Sequence, residues 1–71
     1  MIVKEYKLSS AFYTPAAVRQ GARDVSHLCR VHIQPGNDEI RVRIVLPDAK
    51  PQLADEFLNY VLGLSAQELL A

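Results

Sequence analysis

The chain has no tryptophan, one cysteine, three glycines and no net charge, because eight basic residues are matched by eight acidic ones. A single cysteine excludes an internal disulfide and suits a reducing compartment. Zero net charge excludes a global field that would draw the protein to nucleic acid or to anionic lipid. No apolar run approaches the roughly eighteen residues of a membrane span, and there is no charged-then-apolar leader. The expectation is therefore a cytoplasmic protein with no membrane segment. Gly-rich phosphate loops are missing too, since Pro35-Gly36-Asn37 has only turn chemistry. Asp55 and Glu56 are adjacent and diverge on a helix, so no carboxylate pair stands ready for acid–base work. These absences argue against an enzyme.

Seventy-one residues make one domain, spanning 1–71. A chain of that size buries only about 60% of its unfolded surface, so a partner or a second copy is expected to help.

The stretch that organises the chain is Cys29 to Pro47. Cys29–Gln34 and Glu39–Leu46 both alternate with a period of two, and Pro35-Gly36-Asn37-Asp38 between them predicts a hairpin turn in which glycine and asparagine accept positive φ. Cys29, Val31, Ile33, Ile40, Val42, Ile44 and Leu46 fall on one face, and Arg30, His32, Gln34, Arg41 and Arg43 on the other. Ahead of the hairpin, Ile2 to Leu8 reads as an edge strand. Ile2, Tyr6 and Leu8 face the core, Val3, Glu5 and Lys7 face out, and Lys4 falls on the inward side.

Thr14 is a good helix N-cap, Pro15 suits the first helical position, and Tyr13 with Val18 has hydrophobic-staple spacing. Val18, Gly21, Ala22, Val25, Leu28 and Cys29 then mark one helical stripe, with the helix seated close to the sheet at Gly21. Pro51 opens a second helix reaching about Leu62, with Leu53, Ala54, Phe57, Leu58, Tyr60, Val61 and Leu64 as its stripe. Gly63 is expected to stop it, and Ser65 with Glu68 has the spacing of a capping box for a further short turn.

The order strand, helix, strand, strand, helix predicts an α+β, two-layer β-α-β-β-α sandwich. Its three-stranded mixed sheet, in the order 1-3-2, carries both helices on one face, a ferredoxin-like arrangement lacking the last strand. Such a sheet leaves an edge open, and open edges recruit strands.

His27, Cys29 and His32 are the one group of soft ligands, but strand alternation separates Cys29 from His32, so no metal site is expected. Cys29 reads as a small buried hydrophobe at a helix C-terminus, the wrong end of the dipole for a nucleophile. Ser26 and His27 are helical neighbours that cannot face each other as nucleophile and base. No catalytic residue or cofactor is assigned. The surface with character is the outer sheet face, where Arg30, His32, Arg41 and Arg43 stand beside Val3, Glu5 and Lys7. It reads either as a solvated face kept soluble by its charges or as a docking face for an acidic protein or peptide. Without aromatics interleaved among the arginines, it does not read as a nucleic-acid surface.

Glu56-Phe57-Leu58-Asn59-Tyr60-Val61-Leu62 resembles the signature LLNDYxLRE of the small D-protein (HxsD) family of the His-Xaa-Ser peptide-maturation system. Phe57 stands for a leucine, Asn59 for the aspartate, and Tyr60 and Leu62 match; Gly63 and Leu64 replace the closing arginine and glutamate. Tyr13 to Val18, leading through to Val31-His32-Ile33, also resembles that family's tyrosine-started helix running into a strand. The resemblance implies a small cytoplasmic accessory protein acting beside radical-SAM enzymes that modify a peptide with His-Xaa-Ser repeats. It brings no catalytic residues with it. The leading expectation is thus a non-catalytic interaction module for a peptide or a radical-SAM enzyme partner. The alternative is a homodimeric structural or regulatory protein paired through its edge strand without a peptide ligand.

Overall fold

In a computed structural model of the chain, which describes residues 1–70, the apolar alternation of the hairpin becomes the centre of a three-stranded sheet. The elements are β1 (Ile2–Ser9), α1 (Pro15–Asp24), β2 (Arg30–Pro35), β3 (Glu39–Leu46) and α2 (Leu53–Leu70), and the strand order is β1-β3-β2. The longest apolar strand is central, as its pattern predicts. Both adjacent pairs are antiparallel, so the sheet is antiparallel throughout and not mixed. β1 and β2 run the same way but never touch, because β3 lies between them.

Ile40, Val42, Ile44 and Leu46 of β3 are buried together with Leu8, and the helices cover this face with Ala17, Val18, Ala54, Phe57 and Val61. α1 packs against β2 and α2 against β3, and the two helices pack against each other. At that contact a side chain at Gly21 would place its Cβ 2.6 Å from Val61 Cγ2 and 3.3 Å from Phe57 Cε1. The glycine is there because the helices are too close for anything larger.

Thr14 caps α1 as expected, its Oγ1 accepting the Ala17 N–H at 3.1 Å, with Pro15 in the first turn. α1 ends at Asp24, a turn earlier than its stripe suggests. Val25 caps it, the Leu28 and Cys29 N–H groups bond back to the Val25 carbonyl, and Leu28 is left exposed while Cys29 is buried. Ser26 and His27 therefore occupy a turn and not a helix. Ala17, which the stripe leaves out, is buried to 1%.

The hairpin turn also differs from expectation. Pro35 belongs to β2, and no residue described here has positive φ. Gly36 instead supplies room: a Cβ there would lie 2.9 Å from the Glu39 carbonyl oxygen, which accepts the Gly36 N–H at 2.8 Å.

α2 is the larger departure. It begins at Leu53, after turn bonds from Ala54 and Glu56 back to Pro51 and Gln52, and runs without a break through Gly63 to Leu70. Its 18 residues span about 27 Å. Gly63 faces open space and merely weakens the helix. Ser65 and Glu68 do cap a helix, but it is α1. The Thr14 N–H donates to Ser65 Oγ at 3.0 Å and the Thr14 hydroxyl donates to the Glu68 carboxylate. Ser65 thus continues the buried line of Ala54, Phe57 and Val61 as a polar residue whose oxygen is satisfied across the helix pair.

Tyr60, expected in the core stripe, is 44% exposed. Its ring lies beside Gly21 and its hydroxyl donates to Asp24 Oδ2 at 2.6 Å, while Gln20 donates to the other carboxylate oxygen. Donating that proton to a carboxylate raises the Tyr60 pKa, since ionisation would lose the bond and set phenolate against carboxylate.

Two measurements check these contacts. Gly21→Ala is expected to lower unfolding free energy by about 1–3 kcal/mol through overpacking, whereas Gly63→Ala should raise it by about 0.5–1 kcal/mol, read from urea melts. Because the folded Tyr60 pKa lies above its unfolded value near about 10, its contribution is present below that pH and is lost as pH rises through the folded value. Wild-type stability should therefore fall more steeply than that of Tyr60→Phe as pH rises above about 10.

Candidate functional site

Strand alternation commits the inner face of the sheet to the core, so whatever the strands carry on their other side meets water. The pairing register arranges that outer face into three transverse rows: Val3–Val45–Arg30, Glu5–Arg43–His32 and Lys7–Arg41–Gln34. All the candidate residues, Val3, Glu5, Lys7, Arg30, His32, Arg41 and Arg43, are exposed, and the structure brings all of them onto one surface.

The charges on this surface are ordered. Arg43 places both Nε (3.0 Å) and a terminal nitrogen (2.9 Å) on Glu5 Oε1, and Arg41 Nε lies 3.4 Å from Glu39 Oε1 along its own strand. Among the described residues, Lys7, Arg30 and His32 make no ion pair. Four cations (Lys7, Arg30, Arg41, Arg43) against two carboxylates (Glu5, Glu39) leave the face at +2 with histidine neutral, and the balanced chain then leaves −2 elsewhere. The protein is neutral overall yet polar from sheet to helices, with Asp55 and Glu56 in the first turn of α2, the end of a helix that favours negative charge. A shallow depression open to solvent crosses the outer face, lined by Glu5, Lys7, His32, Gln34, Arg41 and Arg43.

The two sheet edges are not equivalent. In an antiparallel ladder, pairs that exchange hydrogen bonds alternate with pairs that do not. The Ser10 N–H bonds the Asp38 carbonyl at 3.1 Å, one step beyond the Ser9–Glu39 pair, which fixes the phase for β1. The main-chain groups of Val3, Glu5, Lys7 and Ser9 consequently point away from β3, and the outward Ser9 carbonyl is taken by the N–H groups of Phe12 and Tyr13. By the same reasoning from the Gly36–Glu39 bond, β2 directs Val31, Ile33 and Pro35 outward, and proline has no N–H to offer. β1 is the receptive edge and β2 the blunted one. Residue patterning alone could not reveal this phase, although Pro35 was a visible cue that one edge was impaired.

The remaining candidates lie apart. His27 is exposed in the turn after α1, Cys29 is buried beneath the helices, and His32 stands on the opposite face of the sheet. Among the described residues no three His, Cys, Asp or Glu side chains gather as a metal would require. Burial raises the Cys29 pKa, which disfavours the thiolate that nucleophilic chemistry needs. No helix among the described residues is long and apolar enough to cross a membrane.

No family model, no curated protein and no solved structure matches the chain.

Cys29 in the native protein should react with an aromatic disulfide reagent only at the rate of structural opening. Labelling as fast as in denaturant would contradict its burial.

Proposed function

We propose that the protein is a non-catalytic interaction module whose arginine-bearing sheet face docks an acidic protein or peptide. The observation that carries this reading is the set of three rows, which gather Arg30, Arg41 and Arg43 on one side of a neutral chain and leave that side at +2. Partner carboxylates meet the guanidinium groups, exchanging exposed intramolecular pairs, which are worth little by themselves, for better desolvated ones. His32 and Lys7 extend the cationic surface, and Val3 adds an apolar contact at its margin. The β1 edge beside it offers main-chain bonds that fix the register of an added strand. This is where a ferredoxin-like unit would carry the strand that this β-α-β-β-α chain lacks.

The likeness of Glu56–Leu62 to the signature of the small D-protein family supports a narrower version: an accessory protein in the cytoplasm that holds a radical-SAM enzyme or its His-Xaa-Ser peptide during maturation. Tyr60 and Leu62, the two matching signature positions, are both exposed on α2.

The test compares wild type with Arg41→Glu/Arg43→Glu in pull-downs from extract of the native organism, with partners identified by mass spectrometry and folding followed by circular dichroism. Wild type is expected to retain a radical-SAM enzyme or a His-Xaa-Ser peptide. The double variant should keep the fold and lose roughly tenfold or more in affinity. Equal retention by a folded variant removes the proposal.

A further inference from the structure

We infer that the β1 edge is occupied by β1 of a second copy, paired antiparallel about Tyr6. This deepens the reading above only in naming what fills the edge, and it does not require the arginine face to bind anything. Four residues of β1 have outward main-chain groups, Val3, Glu5, Lys7 and Ser9, with the Ser9 carbonyl already taken. A twofold pairing of identical strands sets one residue opposite itself, and among the centrings in the middle of β1, Lys4 to Lys7, which engage most of its length, its charges discriminate. Centring on Lys4, Glu5 or Lys7 sets like charges face to face, which destabilises a cross-strand pair. Centring on Tyr6 sets Glu5 opposite Lys7 of the second copy and Lys7 opposite its Glu5, two complementary pairs across one axis. Lys4, the inward charge that would guard this edge, then lies opposite Leu8 and away from the second Lys4.

The outer rows also become continuous. His32–Arg43–Glu5 of one copy runs into Lys7–Arg41–Gln34 of the other, giving a six-stranded sheet. On the inner side, Tyr60 marks the flank of α2 that faces α1, since it bonds Asp24 there. Half-buried Leu58 and exposed Leu62 lie on the opposite flank, toward β1, where a second copy brings its own Leu58 and Leu62.

Sedimentation of the full chain tests the register. Wild type is expected at twice the chain mass at micromolar concentration. Glu5→Lys and Lys7→Glu each place like charges in both pairs and should each raise the dimer dissociation constant roughly tenfold or more. An equimolar mixture of the two should recover the dimer, because each variant supplies the charges that the other now lacks. Glu5→Lys also loses its Arg43 partner. If it fails to fold, Lys7→Glu, which gains Arg41 as a neighbour in its own chain, still decides the matter. A dimer indifferent to Lys7→Glu overturns the register. A monomeric wild type overturns the pairing, whether or not another protein's strand is found at this edge. Arg30→Glu, on the far edge, should weaken an acidic partner and leave the dimer intact, so failure of one reading is distinguishable from failure of the other.

Discussion

The close passage of the two helices at Gly21 is the constraint on which the rest depends. With no side chain at Gly21, Val61 and Phe57 can seat directly against α1. The polar junction of Thr14 with Ser65 and Glu68 then ties the start of α1 to the last turns of α2. The helices meet the sheet as one layer, with a common apolar surface over β2 and β3. That commits one face of the sheet to the core, and alternation delivers every other strand residue to the opposite side. The charged face is a consequence of how the helices pack.

That face is where the chain's hidden charge asymmetry surfaces. A balanced composition makes the protein look electrostatically inert, yet the cations are concentrated on the sheet and the excess carboxylates lie elsewhere. At short range an approaching partner meets the local field and not the net charge. Arg41 and Arg43 each pair with a single carboxylate, Glu39 and Glu5, and solvent-exposed pairs of this kind are weak.

Much of the architecture was legible in the chain. Period-two runs located all three strands, the run from Ile40 to Leu46 marked the central one, and Thr14-Pro15 located the first helix. What escaped depended on contacts between elements. Gly63 looks like a stop signal, but packing of Ala54, Phe57, Val61 and Ser65 along one line outweighs a helix penalty of about 1 kcal/mol. Ser65 and Glu68 have the spacing of a local cap, and no local rule says that they serve a helix fifty residues earlier in the chain. Tyr60 falls on an apolar stripe by spacing, while Asp24 on the neighbouring helix draws its hydroxyl outward. The seven candidate residues of the outer face required only strand alternation, so they could be named in advance. The ordering of the edges required the hydrogen-bond phase, which alternation does not carry.

Pro35 removes one donor from the β2 edge of the sheet. Growth by strand addition needs donors and acceptors along a free edge, and a building block with two such edges polymerises without limit. Here the β2 side is short and ends in a residue with no N–H, while the β1 side is open. Val31 and Ile33 still direct main-chain groups outward, but beyond them the proline has no donor, so the β2 side offers a shorter ladder than the β1 side. A single proline at the hairpin is enough to make the two free edges of one small sheet unequal.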